Sequence, residues 1–226
     1  MAVLSWVDIC NMALALIGGG PINSLDETSM EARACKKFMV QVRRSVLSSH
    51  AWNCATQWNV PPSIGESGKN GAPAWPYRYA FALPNNCLSV VRIETGLPAG
   101  SLATVSAPAM PFLVAAHEGQ RAILCNESAP TIMYIADIDD ASALDAKVVD
   151  VVVFRLASAL ALPIGEKTQR ADYFMGLYRE ALREAMTEDA QNGLEFVPRD
   201  DTYIRDRVRT GDSWAFDPIH DRAVLP

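Results

Sequence analysis

The apolar positions of this chain change rhythm twice. From Trp6 they recur as Trp6, Ile9, Cys10, Ala13, Leu16 and Ile17, the three-to-four spacing that marks one face of a helix. Ser5, followed three residues later by Asp8, is a capping-box-like start: the hydroxyl accepts from an early backbone N–H and the carboxylate reaches back. Gly18-Gly19-Gly20-Pro21 stops the helix, because glycine tolerates left-handed backbone and proline cannot continue the turn. A second helix is expected from about Ser29 to Ser48. Cys35, Phe38, Met39, Val42 and Val46 line one side, and Arg33, Lys36, Lys37, Arg43 and Arg44 spread over the rest.

At Ala51 the period becomes two, and Trp52, Cys54, Thr56 and Trp58 predict a strand. Pro61 through Pro73 carries no apolar rhythm and reads as a long exposed loop. Tyr77–Leu83, Leu88–Glu94, Met110–Ala116, Arg121–Cys125 and Thr131–Ala136 predict further strands, with a turn at Glu118-Gly119, together making one small antiparallel sheet. Helical rhythm returns at Ala146. Val149, Val152, Leu156, Ala159 and Leu160 form one stripe, and Val148, Val153 and Ala157 widen it, so this helix is expected to be buried on most sides and to end at Pro163. Thr168 is placed to cap a last helix that closes at Gln191-Asn192-Gly193.

Beyond Gly193 charges of both signs are punctuated by isolated large side chains: Phe196, Tyr203, Ile204, Trp214, Phe216 and Leu225. Six anchors return less free energy than ordering some thirty residues costs, so this segment needs a partner surface. The expected fold is therefore α+β: a discontinuous helical bundle (1–50 and 141–193) with an inserted small antiparallel β module (51–140) and an extended C-terminal arm (194–226). The helical runs must find each other across the insert, since neither buries its apolar stripe alone.

With 226 residues, half of them hydrophobic, the chain can bury a generous core. A net charge of −6 and an isoelectric point near 5.1 argue against a protein whose main task is to neutralise phosphates. Cys10, Cys35, Cys54, Cys87 and Cys125 are widely spaced, odd in number and set inside apolar periods, which predicts free thiols in a reducing compartment. The N-terminus lacks the basic start and apolar run of a signal peptide, and Asp150, Arg155 and Ser158 interrupt the longest apolar stretch, so neither export nor a membrane span is expected.

Candidate chemistry is sparse. His50, His117 and His220 have no neighbouring acid and nucleophile in a recognisable order, and an enzyme would have to assemble its site from Asp137, Asp139 and a distant histidine. Asp137-Ile138-Asp139-Asp140 resembles half of a cation loop but lacks the glycine turn and closing glutamate; it reads better as a lead into the next helix. The glycine run at 18–20 has neither the preceding strand nor the following Lys-Ser/Thr of a phosphate cradle. No catalytic activity, metal or cofactor is expected. The basic cluster Arg33, Lys36, Lys37, Arg43 and Arg44 is an intersubunit face or, alternatively, the DNA-facing surface of a packaging or regulatory protein.

The run Tyr77-Arg78-Tyr79-Ala80-Phe81-Ala82-Leu83-Pro84-Asn85-Asn86-Cys87-Leu88-Ser89-Val90-Val91-Arg92-Ile93 resembles the phage tail tubular protein A family, the head-to-tail adaptors of tailed phages. So do Asn11-Met12-Ala13-Leu14 leading to Ile17-Gly18 and Pro21-Ile22, and Phe154-Arg155-Leu156-Ala157-Ser158-Ala159-Leu160-Ala161 ahead of Tyr178 to Asp189. The resemblance implies a non-enzymatic homo-oligomeric ring, usually dodecameric, assembled in the host cytoplasm and resident at the head-tail junction of the virion. Such a ring sits beneath the portal, carries the tail nozzle or tail tube, and leaves a channel that DNA crosses without specific binding. On that reading residues 194–226 form the portal-binding arm, with Tyr203, Ile204, Trp214 and Phe216 as anchors and Arg205, Arg207 and Arg209 paired to acidic groups of the partner.

Overall fold

A computed structural model describes residues 4–69, 71–73, 76–95, 110–165 and 168–192. Contacts group Met1–Gly193 into one compact unit and Leu194–Pro226 into another. The second unit, and with it Tyr203, Ile204, Arg205, Arg207, Arg209, Trp214 and Phe216, lies outside the described residues.

The fold is α+β, with four helices and two small antiparallel sheets among the described residues. Helix α1 spans Trp6–Ile17. The Ser5 hydroxyl accepts from the Asp8 N–H at 3.2 Å, and the Ser5 N–H donates back to Asp8 Oδ2 at 2.9 Å, so two of the helix's otherwise unpaired donors are satisfied. Its end is set by Gly18, left-handed at φ 78°, where a Cβ would be strained. Helix α2, Met30–Leu47, starts on the Ser29 hydroxyl, which accepts from the Ala32 N–H at 3.2 Å. Helix α3 spans Ala146–Gly165 and α4 spans Thr168–Asn192. Pro163 lies inside α3 and does not end it. In the last turn its missing N–H removes a single backbone bond and its fixed φ suits the helix, so the chain winds on for two more residues.

Helix α3 is the axis of the bundle. Val148, Val151, Val152, Leu156, Ala157, Leu160 and Ala161 are all buried, and α1, α2 and α4 each pack on it. Ile9, Ala13, Leu14, Cys35, Val46 and Leu47 from the first third of the chain and Phe174 and Ala185 from α4 share one core with it. Both helical segments thus bury their stripes against each other, as their single-faced patterns require.

The β strands are β1 Thr56–Asn59, β2 Ser63–Glu66, β3 Tyr79–Ala82, β4 Cys87–Thr95, β5 Leu113–His117, β6 Gln120–Cys125 and β7 Pro130–Ala136. They form two sheets, in the orders β1-β7-β4 and β2-β3-β6-β5, where the alternation suggests one. Apolar alternation identifies strands but not their partners. Here β6 pairs with β3 (Phe81 opposite Ile123), whereas β7, only four residues later, pairs with β4 (Ile93 opposite Ile132). Phe81, Ile93, Ile123, Cys125, Ile132 and Tyr134 fill the space between the sheets. Strand β7 also sends Ile135 into the helical core, so both of its faces are covered.

Two further expectations change. Trp52 and Cys54 are not in a strand: Asn53–Ala55 is a 3-10 turn and β1 begins at Thr56. Trp52 is drawn into the bundle core with its indole N–H donating to the Val46 carbonyl at 2.9 Å, which turns the chain before it can extend. Within the stretch read as loop, Ser63–Glu66 pairs with β3. Gly65 makes that pairing compatible with the following turn, because a Cβ there would sit 1.7 Å from the Gly71 carbonyl oxygen.

Candidate functional site

Five basic residues on α2 divide according to helix geometry. Arg33, Lys37 and Arg44 recur at i, i+4 and i+11, which places them within about 40° of arc on the side opposite the apolar stripe. All three are exposed. Arg33 has no ion pair among the described residues, and the Lys37 ammonium lies 5.6 Å from the Phe38 ring centroid. Lys36, also exposed, pairs with Asp26 at 2.6 Å.

Arg43 departs from the expected basic face. The side chain is 7% exposed, turned inward by its place on the flank of the apolar stripe. Its Nε lies 2.8 Å from Asp137 Oδ1, off the hydrogen-bond line and so held by charge, and Nη1 lies 2.8 Å from Asp139 Oδ1. Its guanidinium sits 5.4 Å from the Trp6 ring centroid, and the Trp6 indole N–H donates to the Asp139 carbonyl at 2.6 Å. Arg44 Nε completes the group at 2.6 Å from Asp137 Oδ2. Asp137 is itself buried to the same degree as Arg43, so the pair is desolvated and strongly dependent on both partners; Asp139, 89% exposed, adds little. The acidic run 137–140 therefore locks α2 and α1 to the exit of β7. Asp140 instead caps the 3-10 turn at Ala141–Ala143, accepting from the Ser142 N–H at 2.9 Å.

The histidines are likewise engaged. His50 Nε2 lies 3.2 Å from Asp189 Oδ2, and its ring meets Trp52 edge-on at 4.9 Å. His117 Nε2 is 2.9 Å from the Gly71 carbonyl. His220 lies outside the described residues. Neither His50 nor His117 is brought to Asp137 or Asp139. Asp189, a buried carboxylate that sequence reading leaves unassigned, accepts from the Asn53 N–H at 2.9 Å, while its carbonyl accepts from the Asn53 side chain at 2.7 Å. Only its place at an inward position of a late helix signals it in the sequence.

The five cysteines are unpaired, four of them buried and Cys54 half-buried. The Cys10 thiol is pushed up by its hydrogen bond to Cys35 and by burial, and burial raises Cys54, Cys87 and Cys125. Thiols held protonated in this way are poor nucleophiles.

A second charged surface was not singled out by sequence. Glu180, Glu184 and Glu188 follow one another at i+4 along α4, all exposed. Lys147 of α3 bonds to Glu184, and that bond, with Glu188 and Asp150 nearby, raises the lysine. Glu184, Glu188 and Asp150 thus surround one cation. The i+4 spacing is readable in the sequence, but the approach of Lys147 and Asp150 is not.

Among the described residues, no group of three or more His, Cys, Asp or Glu side chains is arranged to hold a metal ion, and no helix is long and apolar enough to cross a membrane. No protein-family model and no curated protein matches this chain.

Proposed function

We propose that this chain is a structural head-to-tail adaptor of a tailed bacteriophage: a ring-forming protein that joins the portal to the tail nozzle or tail tube and leaves a channel for DNA. The observation that carries the reading is the architecture. Helices from both ends of a long sequence build one bundle around α3, and the β module is tied to it by Ile135 in the shared core and by the Arg43–Asp137 pair. A body braced in this way suits transmission of load between two assemblies. The segment order is the one that the resemblance to tail tubular protein A implies, and the arm at 194–226 supplies spaced anchors for a partner surface.

The alternative, a DNA-binding protein using the basic helix, loses much of its footprint. Arg43 faces inward, and Arg44 and Lys36 are committed to carboxylates. Electron microscopy of the full chain, alone and with portal-containing heads, tests the adaptor reading. Closed rings seated on the portal vertex are expected. Particles that remain monomeric in both preparations would overturn it.

A further inference from the structure

Two charged strips of opposite sign lie on the bundle. On α2, Arg33 and Lys37 stand one turn apart on the outer face, while Arg44, further along, is held by Asp137; on α4, Glu180, Glu184 and Glu188 run along roughly 12 Å. Arg33 to Lys37 and Glu180 to Glu184 are both one i+4 step. Helices α2 and α4 each pack on α3. Among the described residues no ion pair joins the two strips within one molecule.

Resting on the adaptor reading above, we infer that the Arg33–Lys37 pair of one copy docks on the Glu180–Glu184–Glu188 strip of the next, making the repeating contact of the ring. A contact between two different patches of the same chain is heterologous. Repeated by a rotation that closes, it generates a ring; a self-complementary patch would stop at a dimer. Charge decides the pairing. Arg33 has no ion pair of its own among the described residues, and Lys147 leaves the glutamate strip with excess negative charge because Asp150 adds to it. Val40, 39% exposed, sits beside the basic strip and supplies an apolar contact that salt does not screen. Arg179 and Arg183 lie on the adjoining arc of α4 and bound the acidic strip on one side, which fixes the register in which α2 can approach.

Sedimentation velocity on the full chain and on four charge-reversed forms tests the inference. Arg33→Glu with Lys37→Glu, and separately Glu180→Lys with Glu188→Lys, place like charges opposite one another and weaken self-association about tenfold or more. Glu184 is left intact because it holds Lys147. All four substitutions in one chain restore association, and far-UV circular dichroism stays unchanged because every altered side chain is exposed. A fourth form, Arg33→Glu alone, falls between the parent and the double reversal. If the parent forms rings and the single-strip reversals do so equally well, the inference falls and the adaptor reading stands. If the parent stays monomeric at every concentration and with heads, both fall. Salt-sensitive binding of duplex DNA that the α2 reversal abolishes, with self-association untouched, would assign the strip to DNA and also overturn the inference.

Discussion

The bundle and the β module solve the same problem at different scales. In the bundle, four helices share one continuous core around α3, with Leu156 and Leu160 fully buried and neighbours drawn from both ends of the chain. In the module, apolar residues are divided between a layer separating the sheets and a small cluster of Ala80, Ala122 and Leu124 on the far face of the four-stranded sheet. Among the described residues β1, β4, β2 and β5 are edge strands, and Trp58 of β1 is 57% exposed. A large core tolerates loss poorly because surrounding atoms are already fixed; thin layers can collapse toward a gap. The bundle is therefore the stability reserve of the unit, and the module is a surface carried on it.

The largest test of that contrast pairs two equivalent truncations. Leu156→Ala in α3 is expected to cost about 4 kcal/mol and Ile123→Ala in β6 about 2 kcal/mol, both fully buried in the parent. Denaturant midpoints read by circular dichroism give the two values. Equal losses would erase the distinction between reserve and surface.

A smaller effect separates the inward from the outward member of the Arg43–Arg44 pair. Arg43→Met strands a buried Asp137 with one remaining cation and should cost about 1–3 kcal/mol. Arg44→Met removes a side chain that is 58% exposed and should cost under about 1 kcal/mol. Urea titration of both variants decides the order. A larger loss from Arg44→Met would mean that the brace between bundle and module is not the buried contact.

The smallest effect is confined to the start of the bundle. Hydrogen bonds from the Ser5 hydroxyl and backbone N–H hold the Asp8 carboxyl below its ordinary 3.8. A folded-state value depressed in this way means that the unfolded chain binds more protons. The stabilisation is present above the ordinary value and is lost as pH falls through the lowered one. Asp8→Asn should melt earlier than the parent near neutrality, and the gap should close in acid. Thermal midpoints against pH would show a constant gap if the capping carboxylate contributes nothing.

Legibility in the sequence follows the same division. Ser5 with Asp8, Gly18 and Ser29 fix helix ends through contacts a few residues away, so α1 and α2 emerge where local chemistry places them. The residues around Trp52 do not, because the bundle core and Asp189 override an alternating pattern. Strand β2 is hidden for a different reason: its pairing depends on Gly65 admitting the Gly71 carbonyl of the following turn, not on apolar rhythm. Arg43 looks like its neighbours in composition, but its partners, Asp137 and Asp139, lie at the far end of the module. Partners distant in sequence leave no local signature, and the buried clamps are made of them.

The clamp at Asp189 also has a consequence in time. Asn53 waits for a carboxylate 136 residues further along the chain. At about 5–20 residues per second of synthesis, that interval is roughly 7–27 s. For most of it, until Gly165 completes α3, the apolar stripes of α1 and α2 have no native surface to cover. The first third of this protein is thus exposed to chaperones, or to the same third of another nascent copy, before its own fold can claim it.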